Sequence, residues 1–179
     1  MVTIVADTTC SLPCQEMQDL GIPFVPQIII FGDKQYRDDT ELTTAQFLEK
    51  LRASSNLPKT AAPAPALYTP IFKEHVDKGN SIIVVAPSAE VSGTTRSATV
   101  AAEDFSGADI RVIDTRTIAS GLGSIVRQAK KWADAGMSAD DIERNIRDLA
   151  ARQRVYFVVD TLEYLYKGGR IGGASALFG

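Results

Sequence analysis

The chain has 179 residues, 45% of them hydrophobic, which is enough to bury the core of one ordinary domain. Its formal net charge of −3 at pH 7 argues against nucleic acid or an anionic membrane surface as the main partner. Two cysteines, Cys10 and Cys14, match neither a C-x-x-C redox pair nor a disulfide framework, and no apolar run is long enough to cross a bilayer, so we expect a soluble, cytoplasmic protein without integral membrane association.

The N-terminal segment predicts a strand followed by a helix. Residues 3–7 form a short β-rich run that ends in polar residues. Residues 11–21 then read as a helix that Ser11 caps and Gly21 ends.

Residues 24–39 predict two strands that meet at a turn around Gly32, a hairpin beside the main sheet. Pro26 indicates that the first of these strands begins at a sheet edge or with a bend, because proline has no N–H to donate. An amphipathic helix follows at residues 41–51, with Thr43 as its candidate cap.

The rest of the chain alternates between helices and strands. A Pro-Ala loop at residues 59–65 leads into these predicted elements: helix 66–78, strand 81–87, helix 93–105, strand 109–115, helix 117–136, helix 138–152, strand 155–160 and a short helix at 161–169. This alternation indicates an α/β fold with a parallel sheet. We expect a parallel-sheet α/β domain with the appended hairpin over residues 1–152. Residues 153–179 end without a polar tail or a clear terminating element, so we expect that part of the fold is missing.

The segment Ser92, Gly93 and Thr94 is the strongest local signal of a binding site. It places hydroxyl side chains and a glycine between a predicted strand and a predicted helix. The N-terminus of a helix attracts anions, because its first N–H groups point outward and the macrodipole is positive there. The same pattern is also typical of a simple helix cap by Ser92, and the residues alone leave both interpretations open.

Nucleophilic catalysis by Ser92 is a weaker interpretation. The nucleophile of an α/β-hydrolase needs glycine two positions before and after it, where this chain has Glu90 and Thr94. The one histidine, His75, lies in a charged helical pattern typical of a solvated surface. No zinc-ligand spacing or phosphate-binding loop occurs, so the sequence predicts no metal and no cofactor.

Four further positions stand out. Gly121 and Gly123 lie inside a helical pattern, which favours close helix packing over a nucleotide-binding loop. Arg170 lies in a glycine-rich loop that suits an anion or a docking surface, or is an ordinary loop. Thr60, at the start of the Pro-Ala loop, is a second hydroxyl whose simplest interpretation is a turn residue.

Together, segments spread over the whole chain resemble the DegV family of bacterial fatty-acid-binding proteins. In order, they are VADTTCSLP, VPQIIIFGDKQYRDD, KTAAPAP, APSAEVSGTTRSA, RVIDTRTIASGLGSIVRQA and VDTLEYLYKGGRIGG. The chain departs from the family in two places: residues 60–64 replace a serine-rich loop, and Cys10 and Ser11 replace a small residue followed by an acidic cap.

The resemblance implies that the acyl chain of a long-chain fatty acid lies between two domains. Ser92 and Thr60, with Gly93 and Thr94, would hold its carboxylate. A partner fatty acid kinase would phosphorylate the bound acid to an acyl phosphate, and Arg170 would lie at the head-group entrance. The protein itself would then bind lipid without being an enzyme. An acyl- or phosphoryl-transfer enzyme with Ser92 as nucleophile is the alternative, and a nucleotide-binding regulatory domain is a third possibility.

The resemblance also implies that residues 153–179 begin a second, α+β domain that is incomplete here, because family members continue beyond GGRIGG into a region that covers the lipid and supplies a head-group histidine. We therefore expect this 179-residue form to expose apolar surface, to carry lipid poorly and to self-associate. Pairing or exchange of residues 161–179 would be the simplest way to cover that surface.

Overall fold

The computed structural model describes residues 1–172 and contains a parallel sheet flanked by helices, next to a small antiparallel sheet. Its elements in chain order are β1 (Val2–Asp7), α1 (Cys14–Asp19), β2 (Phe24–Val25), β3 (Ile28–Phe31), β4 (Lys34–Arg37), α2 (Thr44–Ala53), β5 (Lys59–Ala61), α3 (Thr69–Asp77), β6 (Ser81–Ala86), α4 (Thr94–Glu103), β7 (Ile110–Asp114), α5 (Ala119–Asp134), α6 (Ala139–Arg152) and α7 (Glu163–Lys167).

The parallel sheet has the order β2-β1-β6-β7. Its central strands pair in register from Val2 with Ser81 to Val5 with Val84. Both central strands are apolar and buried along most of their length, because helices cover the sheet on both sides. This arrangement confirms the predicted α/β fold.

Two apolar cores lie on the two faces of this sheet. One packs α1, α5 and α6 against it and centres on residues such as Ile83, Ile125 and Ile142. The other packs α3 and α4 against the opposite face, around Tyr68 and Phe72. The result is a three-layer arrangement in which the sheet edges and strand ends, not its faces, are open to a ligand.

Pro26 separates the two sheets. Before it, β2 pairs in parallel with β1; after it, β3 pairs in antiparallel fashion with both β4 and β5. The predicted hairpin is confirmed, with Gly32 at φ +59° in the turn between β3 and β4. The predicted bend at Pro26 is thus the point where the chain leaves one sheet for the other.

The capping residues predicted for the N-termini of helices are confirmed at two helices and wrong at one. The Thr43 and Ser138 side chains accept hydrogen bonds from the Gln46 and Asp141 amides, as their sequence patterns predict. The predicted cap at Ser11 is wrong: Ser11 lies at φ 55°, and α1 begins only at Cys14. The reason is that a 3-10 turn at Thr8–Cys10 intervenes, and the amide of Cys14 instead donates to Asp39 Oδ2 at 3.0 Å.

The predicted Pro-Ala loop starts later than expected. Thr60 lies in β5, where it pairs with Ile29 at the edge of the antiparallel sheet. The three residues of β5 are all exposed, so they lack the alternation that marks a strand in a sequence.

The predicted strand at residues 155–160 is also wrong within the described residues. The chain is extended there but pairs with no strand between residues 1 and 172, and Tyr156, Phe157 and Val158 are 88%, 74% and 99% exposed. A β-rich composition cannot make a strand without a partner for its backbone. The predicted short helix is confirmed as α7, whereas residues 173–179 of the segment expected to pair or exchange lie outside the described residues.

The glycines inside α5 allow close packing, as predicted. A Cβ atom at Gly123 would collide with the carbonyl oxygen of Cys10, and one at Gly121 would lie 2.6 Å from Thr117 Oγ1. A side chain at Gly123 would push α5 away from the loop after β1, and one at Gly121 would meet Gln153 and Val155 of the segment after α6. None of the helices within residues 1–172 has the length and apolar character needed to cross a membrane.

Candidate functional site

The topology opens a crevice at the carboxyl ends of β1 and β6. From β1 the chain crosses to β2 on one side, and from β6 it crosses to β7 on the other side. Loops that leave adjacent parallel strands in opposite directions create a crevice between them, where ligands of open α/β sheets bind. Asp7 ends β1 at this place, and Ser92 to Thr94 follow β6.

A cleft of about 660 Å³ lies here. It brings together Thr60 from β5, Ser92 and Gly93 from the loop before α4, and Arg170 from the loop after α7. The remaining lining residues are Gln27, Ala62, Ala89, Glu90, Val91, Thr95 and Arg96. Four of the five residues expected to form the ligand site therefore line the wall of one cavity.

Thr94, the fifth of them, lies behind this wall. It is 1% exposed, and its hydroxyl oxygen lies 2.8 Å from Ser92 Oγ. The Thr94 amide also donates to Ser92 Oγ at 3.3 Å. Thr94 thus contacts the cleft through Ser92.

The loop before α4 is held by its own backbone. The amides of Val91 and Ser92 both donate to the carbonyl of Ser88, at 3.2 and 3.1 Å. The Thr95 hydroxyl donates to the carbonyl of Pro87 at 3.0 Å, so this hydroxyl is turned toward the loop. These bonds fix Ser92 at the positive end of α4, where the first N–H groups have no acceptor inside the helix.

Neither backbone conformation nor packing requires glycine at position 93. Its φ is −76°, and an added Cβ would meet the Cβ of Ala62 at 3.5 Å, an ordinary contact.

Arg170 gives the rim of the cleft a positive charge. Its Nη2 donates to Thr60 Oγ1 at 3.5 Å, and Nη1 donates to the carbonyl of Gly168 at 2.5 Å. Arg170 and Thr60 also line a neighbouring groove of about 1000 Å³, to which Lys59 and Lys167 contribute. The groove also contains Glu163, which pairs with Lys167, so Arg170 and Lys59 are its cations nearest to the shared residue Thr60.

A buried polar network lies beneath Ser92, and the sequence analysis did not identify it. Gln27 Nε2 donates to Asp7 Oδ2 at 2.7 Å and to Thr94 Oγ1 at 2.8 Å. Asp7 Oδ1 accepts from both the amide and the hydroxyl of Thr9. A chain of hydrogen bonds therefore runs from Asp7 through Gln27 and Thr94 to Ser92.

Asp7 is 1% exposed, and burial raises the pKa of its carboxyl above the ordinary value of 3.8. Hydrogen bonds from Thr9 and Gln27 and the nearby Thr94 hydroxyl oppose this rise in pKa because they favour the ionised form. The signal in the sequence was an acidic residue at the end of a buried strand, which the local pattern did not distinguish from a loop residue.

His75 is at the other end of the sheet. Its Nδ1 lies 3.0 Å from Thr3 Oγ1 near the start of β1, and burial lowers its pKa below 6.5. The side chain is half-buried against Thr3 and Asn80 and not fully solvated as its sequence pattern predicted. His75 cannot serve Ser92 as a base, because Ser92 follows the opposite end of the neighbouring strand.

Chemically, the cleft suits a single anionic group. Ser92 and Thr60 supply neutral hydroxyl donors, α4 supplies its N-terminus, and Arg170 supplies a cation at the rim. Among residues 1–172 no three His, Cys, Asp or Glu side chains are grouped as metal ligands.

The whole chain, residues 1–179, matches the family described as "Uncharacterised protein, DegV family". A DegV domain-containing protein of Streptomyces coelicolor is 39% identical over 182 aligned residues, and one of Deinococcus radiodurans is 34% identical over 178. Both alignments include 99% of this chain and 63% of the relative, so the chain spans less than two thirds of the length of these relatives.

Solved structures of similar sequence share the fold of this chain. A DegV family protein from Thermus thermophilus, described as binding fatty acid, is 33% identical with a TM-score of 0.89, over 98% of this chain and 62% of that protein. A stearic acid-binding protein from Eubacterium ventriosum is 28% identical with a TM-score of 0.86, over 97% of this chain and 61% of that protein. Both similarities extend over nearly all of the fold described above.

Proposed function

Because this chain belongs to the DegV family, we propose that it binds a long-chain fatty acid and holds the carboxylate in the cleft beside Ser92 and Thr60. One observation carries the proposal: Ser92, Gly93, Thr60 and Arg170 come from three separate segments and line one cavity. The described ligands of the similar proteins, fatty acid and stearic acid, support the same ligand class here.

The carboxylate is held by neutral hydroxyls and helix-end amides, while the guanidinium of Arg170 stays at the rim. A bidentate arginine pair would stabilise the carboxylate in its ground state and reduce its reactivity. Affinity instead comes from the acyl chain, at about 0.8 kcal/mol for each buried CH₂. Fourteen such groups would contribute on the order of 11 kcal/mol before the costs of ordering.

The second part of the proposal is a partner fatty acid kinase that phosphorylates the bound acid to an acyl phosphate. A carboxylate that is loosely held at the edge of a cleft remains available to attack a phosphorus atom. Arg170 at the rim would face the transferred phosphate or the docked kinase. The protein then acts as the lipid-carrying partner of the kinase and performs no chemistry itself.

The site does not favour an acyl- or phosphoryl-transfer enzyme with Ser92 as nucleophile. Within residues 1–172 the hydroxyl of Ser92 contacts Thr94, and the chain's one histidine lies at the opposite end of the sheet. A serine nucleophile needs a base within hydrogen-bond reach. Asp7 is separated from Ser92 by Gln27 and Thr94.

We also place the domain boundary after residue 152. α6 ends at Arg152, and the exposed extended segment begins shortly after it. Residues 153 onward would begin the second domain, which together with the first would enclose the acyl chain.

Mass spectrometry of organic extracts tests the proposed function directly. The protein is expressed from its complete natural gene, purified from bacterial cells and extracted. We expect about one long-chain fatty acid per protein molecule. Absence of acyl lipid, together with no uptake of added palmitic acid, would refute the proposal. A covalent adduct on Ser92 after incubation with acyl phosphate would favour the transfer enzyme instead.

A further inference from the structure

The hydroxyl of Thr94 is the junction of the buried network beneath the cleft. Its oxygen accepts a hydrogen bond from Gln27 Nε2 at 2.8 Å. Its single hydrogen has Ser92 Oγ as an acceptor at 2.8 Å. The Asp7 carboxylate is near enough for the Thr94 hydroxyl to lower its pKa, but no hydrogen bond joins Thr94 to Asp7 in this arrangement of residues 1–172. The direction of this one hydrogen decides whether Ser92 donates inward to Thr94 or outward to the cleft.

Gln27 controls the competition between these two acceptors. Its Nε2 donates a hydrogen bond to Asp7 Oδ2 at 2.7 Å, while the amide and hydroxyl of Thr9 donate to Asp7 Oδ1. With both carboxylate oxygens supplied with donors, Asp7 has little need of the Thr94 hydrogen. Thr94 can then donate to Ser92 Oγ, and the hydrogen of Ser92 is left for a group in the cleft.

The amide orientation of Gln27 follows from its surroundings. In its ionised form the Asp7 carboxylate only accepts hydrogen bonds, and Gln27 presents its NH₂ group to Asp7 Oδ2. The backbone is fixed as well, because the Gln27 amide donates to Thr8 Oγ1 at 3.1 Å, directly after the bend at Pro26. The side chain therefore reaches the network from a backbone anchored to the same β1 loop.

We propose that Gln27 is a positioning residue that acts through Thr94 to set the Ser92 hydroxyl as a hydrogen-bond donor toward a carboxylate in the cleft. The inference rests on the proposed function, since it concerns how that site selects an anionic head group. Without the Gln27 amide, Asp7 accepts a hydrogen bond from the Thr94 hydroxyl, and Thr94 accepts one from the Ser92 hydroxyl. Ser92 then presents only lone pairs to the carboxylate of the ligand.

The test compares two ligands that share one chain, palmitic acid and 1-hexadecanol. Dissociation constants for both are measured with the protein expressed from its complete gene, freed of lipid, as wild type and as Gln27→Leu. We expect the preference for the acid over the alcohol to fall about tenfold, which is about 1.4 kcal/mol, with the alcohol affinity unchanged. The control is Gln35→Leu, an exposed glutamine on β4.

A purely structural role for Gln27 would lower both affinities together, and that result would overturn the inference. An unchanged preference would overturn it as well. If the wild type binds neither ligand, the proposed function fails instead, so the two failures are distinct.

Variants of Thr94 test the same chain of bonds at a second point. Thr94→Val removes the hydroxyl that would accept the hydrogen of Ser92, so Gln27→Leu is expected to change the preference for the acid little in the Thr94→Val background. In the Thr94→Ser background, which keeps the hydroxyl, Gln27→Leu should lower the preference as it does in the wild type. A loss as large in the Thr94→Val background as in the wild type would contradict the inference.

Discussion

Arg170 Nη2 lies 3.5 Å from Thr60 Oγ1, which joins two segments that are 110 residues apart in the sequence. The contact brings a cation from the loop after α7 to the edge strand that forms one wall of the cleft. The hydroxyl that we propose to hold the head group and the guanidinium that we propose to face the entrance are therefore adjacent, yet each can be altered alone.

Replacement of both Ser92 and Thr60 by alanine is expected to weaken carboxylate binding by about 1 to 3 kcal/mol, because two hydrogen bonds to a charged group are lost. Phosphorylation by the kinase should fall more than binding does, since the acyl chain keeps its contacts while the head group loses its position. Calorimetry and a kinase assay check this, with the exposed pair Ser106→Ala and Thr99→Ala as control. A double variant phosphorylated at the wild-type rate would refute the assigned role.

Arg170→Ala should leave fatty acid affinity within about twofold but reduce the phosphorylation rate about tenfold, the effect of about 1.4 kcal/mol in the transition state. The reason is that Arg170 lies at the rim, where the transferred phosphate would pass. Steady-state kinetics with the kinase provide the measurement. Arg154→Ala is a suitable control, because Arg154 is exposed and donates to the carbonyls of Ala151 and Gln153. Equal rates for both variants would contradict the role of Arg170.

Gly123→Ala is expected to lower the free energy of unfolding by about 1 to 3 kcal/mol, because its methyl group would collide with the Cys10 carbonyl. Gly93→Ala is the matched comparison, since there the new methyl group would meet only Ala62 at 3.5 Å. Urea denaturation of both variants gives the two values. If Gly123→Ala proved no less stable than Gly93→Ala, the described approach of α5 to the β1 loop would be incorrect.

Asp7→Asn should change the pH dependence of stability. The folded pKa of Asp7 is raised, so between 3.8 and that higher value the folded state binds more protons than the unfolded state. The free energy of unfolding of the wild type should therefore fall, relative to Asp7→Asn, as the pH rises from about 4 through the raised folded pKa. Denaturation curves at several pH values measure the difference. A difference that moves the other way would show that hydrogen bonds outweigh burial at this carboxyl.

The 179-residue chain is expected to self-associate as its concentration rises, because Tyr156 and Phe157 expose large apolar side chains. Replacing both with serine should reduce the association, whereas Tyr164→Ser on α7 should have a smaller effect. Light scattering over a range of concentrations distinguishes these outcomes. A chain that stays monomeric at every concentration would remove the basis for this prediction.

The sequence predicts the central architecture well for a physical reason. Strands covered on both faces read as uninterrupted apolar runs, and the helices beside them carry one apolar stripe. Caps such as Thr43 and Ser138 are recognisable because their hydrogen bonds reach only three residues along the chain. Strand pairing has no such local signal, which explains why β5 was missed and why residues 155–160 were wrongly predicted as a strand.

The residues of the candidate site also fall into two groups, those with a local sequence signal and those without one. Ser92 and Gly93 stand out because a hydroxyl and a glycine between a strand and a helix have a known chemical use. The side chains of Asp7 and Gln27 meet only because β1 and β2 are neighbours, and no local pattern links two residues 20 positions apart. Thr60 and Arg170 depended on the family resemblance, since their segments meet only in the folded chain.

The pairing of β1 with β6 also governs how the chain folds. Val2 lies opposite Ser81, so the centre of the sheet joins residues separated by most of the first half of the chain. On the ribosome, β1 leaves the exit tunnel long before β6 exists, and at about 5 to 20 residues per second this delay lasts about 4 to 16 s. During that time the apolar residues Ile4 and Val5 lack their final neighbours. Sheets that depend on distant pairing fold slowly, so this chain should need protection from aggregation during its own synthesis.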